Sequence, residues 1–153
     1  MIKETDYLIV GAGAMAMAFA DTILKEQPNS TIALVEKRSA PGGHWLDAYP
    51  YVRLHQPASF YGVNSEKLET HSGDLSSKQE ILAYYSRVLF RMENAGRVKF
   101  FGMMEHTGKG NVRSIVDPNK KIKFRIKKRL VDSTYMKVEV PSKTRPNFEV
   151  SKN

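Results

Sequence analysis

The residues in this chain best placed to do chemistry are two glycines, an alanine and one acid. Gly11-Ala12-Gly13-Ala14-Met15-Ala16 follows directly on the apolar run Tyr7-Leu8-Ile9-Val10, and Glu36 closes a second apolar run, Ile32-Ala33-Leu34-Val35. A strand, a G-x-G-x-x-A turn, a small-residue helix, a strand and an acid make the dinucleotide-binding βαβ fingerprint. Each part has a physical task. Gly11 turns the chain sharply off the strand. Gly13 lacks a Cβ, so a pyrophosphate can approach the backbone where free N–H groups open the helix. Ala16 is small enough for the helix to pack closely on the strands. Glu36, 23 residues after Gly13, stands where an acid bonds a ribose hydroxyl. A carboxylate there suits a free 2′-hydroxyl and repels a 2′-phosphate, although Lys37 and Arg38 follow at once. FAD and NAD both carry that unphosphorylated ribose, and the fingerprint alone does not choose between them.

The elements that must hold these residues are legible further along. Ser77 and Glu80 have capping-box spacing, Ile81, Leu82, Tyr85, Val88, Leu89 and Met92 form a stripe at helical period, and Gly96 stands at the stop. That stripe reads as core packing. Val98-Lys99-Phe100-Phe101 reads as the next parallel strand. Val112–Val116 and Ile122–Leu130 are strand-like runs joined at Asp117-Pro118-Asn119-Lys120, with proline in the second place of a turn. The fold class expected is α/β, a Rossmann-type three-layer βαβ parallel sheet with a β-hairpin or meander insertion at about 109–130.

Composition limits the function classes. The 153 residues, 41% of them hydrophobic, suffice for one domain with a real core. There is no cysteine, which excludes disulfides, thiolate metal sites and thiol nucleophiles, and no metal site is expected. No apolar run approaches the ~20 residues of a membrane span. Lys3 and Glu4 lead straight into a strand without a signal pattern, so a cytoplasmic protein with no membrane partner is the expectation. The net charge of +8 resides in one place: Lys109 to Arg129 holds nine basic residues and one acid, Asp117, and the rest of the chain is balanced. The charged face carries no interleaved aromatics for stacking bases, so no nucleic acid is expected. It reads as the solvated side of a half-buried sheet, or as a basic patch toward an acidic partner.

Between these elements lie Gly42-Gly43-His44-Trp45 and Tyr49-Pro50-Tyr51-Val52-Arg53, then Leu54-His55-Gln56. Here the chain resembles the FAD-binding N-terminal part of flavin-dependent monooxygenases of the flavin-containing and Baeyer–Villiger type. Those proteins carry G-G-x-W and Y-P-x-x-R segments in this order after the acidic strand end. The resemblance covers residues 5 to about 65 well and extends more loosely to about 145. It implies FAD, with Gly43, His44 and Trp45 near the flavin end, His55 and Gln56 lining the same pocket, and Met103 or Met104 against the adenine. With Gly11, Ala12, Gly13, Ala14, Met15, Ala16, Glu36 and Lys37 these form the expected cofactor site; no catalytic residue is identified. Two departures stand out. Relatives have a glycine in an A-T-G or D-A-T-G segment on the returning strand, and Tyr135 occupies that place in Val131-Asp132-Ser133-Thr134-Tyr135. Phe100-Phe101-Gly102-Met103-Met104-Glu105-His106 imitates the start of a Baeyer–Villiger fingerprint, but Gly110 lies where its next aromatic or proline belongs.

In the resembling family NADPH reduces the flavin through a second G-x-G-x-x-G domain, and no such motif follows Arg129. The expectation is therefore an FAD-binding domain over 1–140 and a connector over 141–153. The whole reads as a truncated or split part of a flavoprotein oxidoreductase, not competent alone, with a C-terminal NADPH and substrate domain as the missing partner. An NAD-binding redox or regulatory module and a non-catalytic basic interaction domain are the competing readings.

Overall fold

The computed structural model describes residues 1–69, 75–136 and 143–144. In chain order the elements are β1 (Ile2–Val10), α1 (Ala14–Glu26), β2 (Ile32–Val35), a short pair β3 (Gly62–Val63) and β4 (Glu66–Lys67), α2 (Lys78–Asn94), β5 (Val98–Phe101), β6 (Met104–Gly108), β7 (Asn111–Ser114) and β8 (Lys121–Asp132). Two 3₁₀ turns, Gly43–Leu46 and Ala58–Phe60, interrupt the long connection after β2.

The six-stranded sheet has the order β5-β2-β1-β8-β7-β6. Its first four strands run parallel, and β7 runs antiparallel to both β8 and β6. Period-two alternation sends β1 side chains to opposite faces. Tyr7 and Ile9 meet the helices, packing with Met17 and Ala20 of α1 and Ile81, Val88 and Met92 of α2. Leu8 faces the other way, with Ala33, Val35, Met104, Val112, Ile122 and Phe124. Helices, parallel sheet and meander are thus three layers with β1 at the centre, as the Rossmann-type expectation required.

The sequence signals for α2 correspond to real interactions. Ser77 Oγ accepts the Glu80 N–H at 3.3 Å, and Glu80 Oε2 accepts the Ser77 N–H at 2.7 Å. Ala95 caps the other end, and Gly96 follows at φ +78. The meander begins earlier than the pattern suggested: β6 precedes Lys109, and the run at Val131 is the end of one unbroken β8. Lys127-Lys128-Arg129 hides that continuity, because three successive cations erase the alternation, and the register with β1 slips there between Thr5 and Tyr7. The Pro141–Asn153 stretch, expected as a connector, falls outside the described residues apart from Lys143 and Thr144. Among the described residues no helix is long and apolar enough to cross a membrane, and no group of His, Cys, Asp or Glu could hold a metal.

The α2 core gives the fold a pH limit. Burial pushes the Tyr85 phenol up to about 12, and the neighbouring Tyr84 adds to the shift. The neutral phenol is favoured in the folded state, so its contribution is complete below pH ~10 and is lost as pH rises toward 12. Urea unfolding followed from pH 9 to 12 should show a loss of about 2–3 kcal/mol that is absent in Tyr85→Phe.

Candidate nucleotide site at the carboxyl ends of the parallel strands

Gly11 leaves β1 at φ +99, a conformation that other residues rarely adopt. A Cβ there would lie 2.6 Å from Ser133 Oγ. That hydroxyl donates to Val10 O at 2.6 Å, so the end of β8 closes over the turn. Gly13 is the N-cap of α1, with no side-chain cap and no acid in the first turn. The first N–H groups of a helix lack intrahelical acceptors, and among the described residues no side chain caps these. Ala14 and Met15 of that turn are exposed, whereas Ala16 is buried against the sheet.

Facing Gly13 is the second glycine segment. Gly42 N–H donates to Ala12 O at 2.9 Å. A Cβ on Gly13 would stand 3.5 Å from Gly43 Cα, and a Cβ on Gly43, at φ +57, would stand 3.0 Å from Gly13 Cα. Two backbones with no side chains between them therefore meet at the mouth of α1. The sequence had placed both segments in one site, and the structure brings them into contact.

Glu36 is 3% exposed and uses both carboxylate oxygens on backbone. Oε2 accepts the Ala12 N–H at 2.8 Å and Oε1 accepts the Arg38 N–H at 2.9 Å. The acid thus fixes the glycine turn directly. Lys37 is exposed, and Arg38 reaches Asp47 through Nε at 3.0 Å and also through Nη2. Lys143 Nζ lies 2.6 Å from the other Asp47 oxygen. Burial pushes the Asp47 carboxyl up, but the bonds from Arg38 and Lys143 outweigh it and hold the group below its ordinary range. The Arg38–Asp47 link escaped the sequence reading. It spans an irregular loop, where no periodicity marks the partner.

His44 and Trp45 ride on the 3₁₀ turn, their rings 5.3 Å apart, and Trp45 packs on the helix-side core. Packing around the imidazole, then the Arg38 charge, lower the His44 pKa against the opposing pull of Asp47. The first turn of α2 anchors the loop that follows. Lys78 Nζ donates to Leu46 O and Ala48 O at 3.1 and 2.6 Å, Lys78 N–H to Val52 O at 2.9 Å, and Gln79 to Pro50 O at 3.0 Å. Arg53, of the Y-P-x-x-R segment, donates to Leu75 O at 2.8 Å, so its guanidinium braces the approach to α2. His55 and Gln56 are exposed on this loop, Gln56 accepting from Tyr61 at 3.0 Å, and no bond among the described residues ties them to the glycine turn. The Met104 side chain is buried in the meander core, and its N–H donates to Glu36 O at 2.9 Å. Its proximity to the site is through backbone. Tyr135 is 87% exposed, and it is Ser133 that approaches Gly11.

Two hollows of the surface lie elsewhere. One of about 460 Å³ is lined by Met1, Ile2, Arg113 and Lys121, and another of about 330 Å³ by Glu4, Thr31, Arg97 and Lys99. Both sit toward the starts of the parallel strands, whereas ligands of open α/β sheets bind at the carboxyl ends. The chemistry at Gly13 and Glu36 outweighs the size of those hollows.

A strand–glycine turn–helix with a buried acid on the next strand is a nucleotide-binding geometry, and the comparisons agree. Residues 9–61 match the NAD(P)-binding Rossmann-like domain. A probable FAD-binding monooxygenase, AlmA of Acinetobacter baylyi, is 31% identical over 101 residues, covering 65% of this chain and 20% of that protein. Over these residues the chain is similar to that probable FAD-binding monooxygenase. An uncharacterized protein of Mycobacterium tuberculosis is 41% identical over 150 residues, 91% of this chain and 27% of its own length. Among solved structures, a flavin-containing monooxygenase from Stenotrophomonas maltophilia superposes with TM-score 0.61 at 18% identity, covering 86% of this chain and 38% of that one. The fold is shared with the monooxygenases, and the chain spans about a fifth to a quarter of the curated relatives it matches.

Proposed function

We propose that residues 1–140 bind FAD and form the cofactor-binding segment of a flavin-dependent, monooxygenase-like oxidoreductase. The observation that carries this is the bare-backbone approach of Gly43 to Gly13 over the uncapped start of α1. A side chain on either glycine would fill the space that a pyrophosphate needs. The amides of the first α1 turn, Gly13 to Ala16, would hold the phosphates, and Glu36 would take the ribose hydroxyls with the lone pairs its two backbone bonds leave over. Gly43, His44 and Trp45 would flank the flavin end, where an indole offers a flat apolar wall. Bound flavin would supply electron transfer between a reduced nicotinamide and an oxidant; the chain's part is binding, orientation and electrostatics.

NAD shares the adenosine half of FAD, so binding assays must separate them. Purified protein titrated with FAD should show quenched flavin fluorescence and a perturbed visible spectrum, with ADP competing and FMN failing to compete. Binding of NAD in preference to FAD would replace the proposal by a nicotinamide module. The resembling family's NADPH motif is absent from residues 1–153. FAD-loaded protein alone is therefore expected not to consume NADPH at a flavin-dependent rate, as followed by NADPH absorbance. Robust turnover by these 153 residues would refute the reading of the chain as one part of the catalyst.

A further inference from the structure

The turn that carries Trp45 belongs to no sheet. Between β2 and β3 the one strand-like bridge among the described residues joins Arg53 to Ser77, so individual bonds decide where Gly43–Leu46 sits. At its start the Gly42 N–H donates to Ala12 O of the glycine turn at 2.9 Å. From the side of α2, Lys78 Nζ donates to the carbonyls of Leu46 and Ala48. At its end Asp47, whose N–H donates to His44 O at 3.0 Å, accepts from Arg38 Nε at 3.0 Å and from Nη2 as well.

The Arg38 end differs from the other two because it also reaches the acid of the site. Arg38 N–H donates to Glu36 Oε1 at 2.9 Å, and Met103 N–H donates to Arg38 O at 3.0 Å, so both polar groups of its backbone are held. Its Nη1 lies 3.6 Å from Glu36 Oε1. The guanidinium thus stands between two carboxylates whose side chains are only 4% and 12% exposed. Two donors of one rigid plane fix direction as well as distance, which a lysine cannot do. Glu36, which steadies the glycine turn through the Ala12 N–H, is in this way linked to the turn bearing Gly43 and Trp45. Resting on the FAD reading above, we propose that Arg38, acting through Asp47, is a positioning residue that sets the Gly43–Trp45 turn for the flavin half of the cofactor. ADP needs only the glycine turn and Glu36, whereas the flavin end also needs Trp45 in place. Loosening the link should therefore weaken FAD and spare ADP. Charge alone predicts the opposite sign, because removing Asp47 takes a negative charge away from an anionic ligand.

The test titrates the full native chain, Asp47→Ala and Arg38→Lys separately with FAD and with ADP. Asp47→Ala should bind FAD about tenfold less tightly, and ADP no less tightly than the native chain does. Arg38→Lys keeps the charge but loses the planar fork, and should lose FAD severalfold with ADP unchanged. Trp45 is the single tryptophan of the chain and is half-buried on the turn, so its emission reports the turn without any ligand. In both unliganded variants it should emit further to the red and be quenched more readily by acrylamide. Equal loss of FAD and ADP would overturn the proposal, as would FAD binding at native strength or tighter. Loss of FAD alone with Trp45 emission unchanged would also overturn it, since the altered residue would then meet the flavin directly. Where Asp47→Ala does not melt cooperatively, Arg38→Lys decides. Failure of the native chain to bind FAD would instead refute the function proposed above, and this role with it.

Discussion

A Gly13→Val protein is expected to fold and to lose FAD. Gly13 sits at φ −81, ordinary extended backbone, so valine brings no conformational strain. Its Cβ would lie in van der Waals contact, 3.5 Å from Gly43 Cα, and its two methyls would then project into the space between the glycine turn and the Gly42–Gly43 segment. Displacing a phosphate from two amides at about 1.5–3 kcal/mol each weakens binding roughly a hundredfold or more. Circular dichroism should show a native spectrum and cooperative melting while FAD titration shows no saturation. A folded Gly13→Val protein with native affinity would remove the pyrophosphate from this turn. Gly43→Ala makes a useful contrast. Its φ of +57 and the 3.0 Å approach to Gly13 Cα strain the fold itself, at a cost of about 1 kcal/mol or more.

Glu36→Ala should damage both the site and its scaffold. Losing a hydrogen bond to a charged group weakens FAD by about 1.5–3 kcal/mol, some tenfold to more than a hundredfold. ADP should lose as much, because only the adenosine half is read there. The structure adds a second effect. The Ala12 N–H, now 2.8 Å from Glu36 Oε2, would be left buried without its acceptor, costing about 1–3 kcal/mol of stability in the free protein. Unfolding without ligand measures that part, and titration with ADP the other. Unchanged ADP affinity in the alanine variant would show that Glu36 serves the turn and not the ribose.

Much of this site could be read in the sequence because it is local. Gly11, Gly13, Ala16 and Glu36 fall within one βαβ unit, where spacing alone fixes position, and Ser77 with Glu80 marks a helix start through bonds only three residues apart. Where contacts run between distant segments, spacing is silent. Nothing in the pattern indicated that Gly43 would rest on Gly13, that Arg38 would seize Asp47, or that Lys78 and Gln79 would hold the loop from Leu46 to Val52. His55 and Gln56 were joined to the flavin pocket by resemblance, and the structure leaves them exposed on that loop. The end of β8 was obscured for a different reason. Four successive exposed residues, Lys127 to Leu130, together with a register slip at the cations, removed the alternation by which strands are recognised.

The position of β1 also governs how the molecule comes into being. This first strand needs β8 along its whole length, and the bond from Ser133 to Val10 joins residues 123 apart in sequence. During synthesis the glycine turn emerges early, yet one flank of its strand stays unpaired until almost the entire sheet has been made. Parallel pairing across so long a loop exacts its entropy before returning any contact, so folding should be slow compared with helical proteins of this size. Until β8 arrives, Leu8, Ile9 and Val10 form an apolar edge open to aggregation. A nascent chain stopped before Lys121 would thus carry the complete nucleotide motif without the strand that keeps it in shape.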